Sequence, residues 1–106
     1  MKRQKRQYRQ GDVLLHPATI PSSAQAVLNQ KRVVLAEGEA TGHAHTIDCS
    51  PKSMQVLMDG QEMYLRVVSP VVLQHQEHGL IEVEPGEYVV KRQTEVWLEE
   101  VRQVMD

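Results

Sequence analysis

The sequence predicts an all-β domain: a small barrel or a two-sheet, jelly-roll-like sandwich with a short C-terminal helix. Three observations lead there. The apolar residues are rich in Val, Phe is absent and Trp occurs once, a composition suited to strands on a modest sheet. About seven or eight short apolar runs follow one another at close spacing. Turn-forming pairs such as Asp59-Gly60 and Pro85-Gly86 punctuate them. At 106 residues the chain is long enough for one core and one domain.

Residues 1–10 form a basic arm carrying Lys2, Arg3, Lys5, Arg6 and Arg9. Apart from Met1 and Tyr8 the arm is polar, so it is expected to be mobile or loosely docked. Residues 11–106 then make a single β domain. Gly11-Asp12 turns the chain into a strand over 13–16, which Pro17 closes. Residues 17–25, with Pro17, Pro21, Ser22 and Ser23, read as a loop. A strand over 31–36 is punctuated by Glu37-Gly38. Residues 39–47 alternate weakly, with Thr41, His43, His45 and Ile47 on one face.

Cys49 to Ser53 form a loop. Residues 54–58 and 62–68 flank Asp59-Gly60, the clearest hairpin in the chain, and Asp-Gly suits a type I′ turn. Ser69-Pro70 ends that strand and residues 71–75 begin another. Further strands are expected over 80–83 and 87–93. Beyond them Trp97, Val101, Val104 and Met105 fall on one helical face, with Thr94 as cap.

Composition narrows the function classes. The net charge of −2 suggests no polyanion partner by itself, but the arm is basic and the rest of the chain acidic. No apolar run follows the arm, as a secretory signal would need, and no stretch reaches membrane-spanning length. Cys49 is the single cysteine and has no partner within the chain for a disulfide. A reducing compartment, the cytoplasm, is the expectation. Phosphate-loop, dinucleotide, nucleophile-elbow and CxxC motifs are absent.

Four of the five histidines lie in two groups, GHAH (42–45) and HQEH (75–78). His43 and His45 are two apart, so on a strand both point to one side, about 6–7 Å from each other. His75 and His78 face each other if Gln76-Glu77 is the turn. If the turn lies at Glu77-His78, with Gly79 as the left-handed residue of a bulge, His78 sits at the tip. Three or four imidazoles suit zinc, iron, nickel or copper. Asp48, Glu77 and Cys49 are further donors nearby. An open coordination position would permit catalysis and a filled one would be structural; the sequence leaves both open. The plainer alternatives are solvent-facing polar residues or a hydrogen-bonded structural cluster. His16, alone beside Pro17, reads as structural, and Met54, Met58 and Met63 read as core. Cys49, with no cation beside it, reads as inert rather than nucleophilic.

Four fragments together resemble a widespread group of small, uncharacterised bacterial and phage proteins: QGDVLL (10–15), RVVLAEGEATGHAH (32–45), YLRVVSPVVLQHQEHG (64–79) and EPGEYVVKRQTE (84–95). That group's pattern runs GDVL, GEVTGHAH, LRV, HxEHG and PPGxYxVxRQREY. The chain departs from it at Glu84 and in RQTEV, which has one arginine and one aromatic fewer. The resemblance implies a shared small β fold and brings no activity with it. A partial likeness to cupins rests on His43 and His45, the HxH of their first motif. Cys49 stands where the motif's Glu would be, and no histidine follows Pro85-Gly86. His75 or His78 would have to supply the distant ligand.

The functional expectation is therefore a metal site with His43, His45, His75 and His78 as ligands. Glu77 would act as fifth ligand, orienter or general base, with a small-molecule ligand as a possible partner. The alternative is a non-catalytic module that binds nucleic acid through Lys2, Arg3, Lys5, Arg6 and Arg9, or a protein through its β surface. A third reading is a subunit of a phage or mobile-element assembly, its histidine site purely structural. An oligomer with the site at a subunit interface would give the same sequence.

Overall fold

Alternation of apolar and polar residues along short strands decides which side of each sheet is buried. A computed structural model describes residues 6–27, 31–37 and 43–92. Among these the strands are β1 (Tyr8–Gln10), β2 (Val13–Pro17), β3 (Gln25–Val27), β4 (Arg32–Glu37) and β5 (Ala44–Asp48). After them come β6 (Met54–Asp59), β7 (Glu62–Val67), β8 (Val71–Gln74), β9 (Ile81–Val83) and β10 (Gly86–Arg92). They form two antiparallel sheets, ordered β1-β2-β10-β7-β6-β3 and β4-β5-β8-β9. The described strands are all-β, as expected, and close into no barrel. The C-terminal helix expected after Thr94 lies outside the described residues.

Inward-facing residues of both sheets meet in one core. Val13, Leu15, Met54, Leu65 and Val90 come from the six-stranded sheet, and Leu35, Ile47, Leu73 and Val83 from the other. Each such side chain contributes about 1.5–3 kcal/mol on burial. Leu57 and Val89 are also buried, but strand alternation puts them on the opposite face of the six-stranded sheet.

Three local expectations differ from the structure. Tyr8–Gln10, read as part of the arm, pairs with β2 as an edge strand, because Tyr8 and Gln10 point inward and are buried. The hairpin turn is shifted by one residue: Asp59 still pairs with Glu62, leaving Gly60-Gln61 as the loop. Gly60 has φ +61°, and Gly at the first of two loop positions suits a type II′ turn. Gly79 is not in a positive-φ conformation, so it is not the left-handed bulge residue. Instead a longer loop joins β8 to β9, which pair from Leu73 and Ile81 onward. β3 falls partly in the segment read as loop.

A bulge in β4 matters for the site. The register with β5 shifts between Val34 and Ala36, so Leu35 and Ala36 are both buried and Ala36 stands opposite His45. A small residue there leaves room for an imidazole, and bulges re-aim side chains in this way.

Candidate histidine site

The inward row of β5 runs from Ile47 to His45 and on to His43, just ahead of the strand. On β8 it runs from Leu73 to His75. Ile47 pairs with Leu73 and Thr46 with Gln74, so continuing the register sets His45 beside His75. One end of the four-stranded sheet's inner face thus changes from aliphatic to imidazole, and His78 returns to it from the β8–β9 loop. Ring centroids are 4.3 Å apart for His45–His75, 4.6 Å for His75–His78, 5.6 Å for His43–His75 and 5.8 Å for His45–His78. All four histidines of the two motifs are brought together.

Their surroundings differ. His45 is 4% exposed. Its Nδ1 is 2.9 Å from Gln10 Oε1 and its Nε2 is 3.1 Å from Asp12 Oδ1. Burial, then the neighbouring His75, pulls its pKa below the ordinary value, against the opposing pull of Asp12. His43 Nδ1 is 3.1 Å from Glu77 Oε1, at a more exposed position. The Glu77 backbone N–H donates to His75 Nδ1 at 3.0 Å, which in the neutral ring puts the proton on Nε2. The amide N–H of Ala44 donates to Gln76 Oε1 at 2.9 Å, tying β5 to the β8–β9 loop.

The β1–β2 turn of the six-stranded sheet supplies the opposite wall. Gln10, 2% exposed, donates from its Nε2 to Leu73 O at 3.0 Å and Gly79 O at 2.9 Å. Gly11 has φ +59°, and a Cβ there would lie 2.7 Å from His78 Nε2 and 3.2 Å from His45 Cε1. Only a glycine lets this backbone reach the imidazoles without strain. Gln10 and Asp12 were not among the expected site residues. The available signal was a glutamine on an inward position of an otherwise apolar face, followed by Gly-Asp.

The other candidate donors lie elsewhere. Asp48 ends β5 about 10 Å along the strand from His45. It pairs with Arg32 at 2.8 Å and accepts from Gln74; these contacts hold its carboxyl below the usual range. Cys49 packs against the core beyond it, where burial and Asp48 push its thiol pKa up. His16 contacts Gln7 Oε1 on the outward face of β2. Of the arm's cations, Arg6 and Arg9 are exposed, while Lys2, Arg3 and Lys5 lie outside the described residues.

Two imidazoles on one tetrahedral ion have ring centres about 5 Å apart, and the four separations bracket that value. As the side chains stand, no group of three or more His, Cys, Asp or Glu among the described residues is arranged to hold an ion. No helix among them is long and apolar enough to cross a membrane.

Fold and site together define a class: an all-β protein of two antiparallel sheets, with four histidines gathered at one end of its inner face. Residues 9–93 match the family model described as "Domain of unknown function (DUF8820)", and the chain belongs to that family. Comparisons with curated proteins and with solved structures give no match.

Proposed function

We propose that this end of the protein binds one divalent transition-metal ion, with His43, His45, His75 and His78 as its imidazole ligands. The observation that carries the reading is the linking of all four imidazoles by ring separations of 4.3–5.8 Å, three of them to His75. Loading requires the rings of His43, His75 and His78 to turn, and His75 to give up its contact with the Glu77 backbone. These changes fall on side chains and an irregular loop, while His45 stays held by the sheets. A nitrogen-rich set suits zinc, iron, nickel or copper. Glu77, already beside His43, would serve as fifth ligand or as the base of a reaction on a small molecule at the ion. On the same reading the two sheets are the halves of a jelly-roll-like sandwich, supported by the single core they share. We infer a cytoplasmic location from the lone free Cys49.

The test is elemental analysis of protein purified without chelator. About one equivalent of metal is expected, reduced to background in His45→Ala and His75→Ala. Folded, metal-free protein whose thermal melt is unmoved by added zinc, iron(II), nickel or copper would overturn the reading.

A further inference from the structure

We propose that Asp12, outside both histidine motifs, is a carboxylate ligand of the same ion, and that Gln10 is the positioning residue that makes His45 a ligand through Nε2. The inference rests on the metal-binding reading above and adds the six-stranded sheet's half of the site.

The argument is one of donors and acceptors. Gln10 Nε2 donates to two backbone carbonyls, Leu73 O and Gly79 O, and this network fixes which end of the amide is oxygen. Gln10 Oε1 can only accept, so His45 Nδ1, 2.9 Å away, must present its N–H. A neutral imidazole has one N–H. In the neutral ring the opposite nitrogen, Nε2, then carries the lone pair, 3.1 Å from Asp12 Oδ1; in a doubly protonated ring Nε2 would donate to Asp12 instead, and the NMR measurement below tells the two apart. An ionised carboxylate is likewise acceptor-only. In that state Nε2 and Asp12 Oδ1 offer two electron pairs to one place beside the half-exposed Asp12 side chain, which a cation arriving from solvent would bridge.

The spacing fits one ion. Donors each about 2.0–2.1 Å from a metal, at tetrahedral or octahedral angles, are about 2.9–3.4 Å apart. Gly11 brings the backbone against this spot, since its missing Cβ would meet both His78 Nε2 and His45 Cε1. Gln10 in turn does for His45 what outer-shell partners do for metal-bound histidines: it fixes the tautomer and the ring plane.

The experiment uses the full chain in two measurements. The first is a Co2+ titration followed by visible absorption, with Zn2+ competition, on wild type and Asp12→Asn. The carboxamide keeps the shape and removes the charge. Binding weaker by about tenfold or more is expected. The second is 15N NMR of the histidine rings in metal-free protein at pH 8. His45 should carry its proton on Nδ1 with Nε2 bare, and Nε2 should shift on adding Zn2+. In Gln10→Ala the His45 ring should lose its single tautomer; if that variant does not fold, the wild-type spectrum decides. Wild type that binds Co2+ with an unchanged Asp12→Asn affinity overturns the role of Asp12 and leaves the histidine site standing. A proton on His45 Nε2 at pH 8 overturns the role of Gln10. Wild type that binds neither ion overturns this inference and the reading beneath it together.

Discussion

His45 occupies a position in the inward row of β5 where Ile47, two residues on, is fully buried. An imidazole is accommodated because Gln10 Oε1 meets its Nδ1, Asp12 lies beside its Nε2 and the β4 bulge sets Ala36 opposite it. Burial and His75 lower its folded-state pKa. The unfolded chain, with His near 6.5, therefore binds a proton more readily than the folded one. The resulting stability is present above about pH 6.5 and is lost as pH falls toward the folded value. Thermal melts in EDTA should give a lower Tm at pH 5.5 than at pH 7.5; a higher Tm at pH 5.5 would contradict the assignment. Two glycines offer a matched comparison. Gly11 (φ +59°) and Gly60 (φ +61°) share a left-handed backbone, but a Cβ at Gly60 meets nothing within 4 Å. Gly60→Ala should cost about 1–2 kcal/mol from backbone strain alone and leave Co2+ affinity unchanged. Gly11→Ala should cost as much and also weaken Co2+ binding by displacing His78.

At the scale of elements, strands with two or more inward apolar residues were legible in the sequence. β2, β4, β6, β7, β8, β9 and β10 fall within a residue or two of the expected spans because alternation is a local property. β1 was masked by its charge. Its inward pair is Tyr8 and Gln10, an aromatic and an amide, and neither reads as a core alternation. β3 carries no burial pattern, all three residues being exposed. β1 is nevertheless firmly fastened. Tyr8 lies edge-on to Tyr88 at 5.9 Å, and its hydroxyl accepts the Glu84 backbone N–H at 3.1 Å. Tyr88 donates its own hydroxyl to Glu84 O at 2.7 Å; burial, then Tyr8, pushes its pKa up to about 12. Tyr8→Ala should therefore destabilise the protein by about 3 kcal/mol, read by urea denaturation. A loss under about 0.5 kcal/mol would mean that β1 is not part of the cooperative unit.

For the whole molecule, half of the candidate site was legible and half was not. Spacing of two along a strand places His43 and His45 on one side, and HQEH set beside a turn suggested a second pair. Spacing along one segment cannot show that residues 10–12 lie against them. Gln10 reaches Leu73 and Gly79 across 63 and 69 residues of chain, a contact fixed only when both sheets have formed. An ion held from both sheets stabilises the folded state by mass action. Zn2+ at a hundred times its dissociation constant should add about 2.7 kcal/mol, visible as a concentration-dependent rise in Tm. A Tm independent of Zn2+ concentration would show that nothing is held there.

The fastening of β1 has one more consequence, for association with other chains. β1 and β9 are edge strands of different sheets, and Tyr8 and Gln10 bind the loops on either side of β9. On that flank the two edges shield each other. On the opposite flank the edges are β3, with Val27 42% exposed, and β4, with Val34 equally exposed. Unpaired edges template strand addition. Among the described residues the fold is thus lopsided: the edges on the flank of its N-terminal strand cover each other, while β3 and β4 end their sheets with no further described strand beside them.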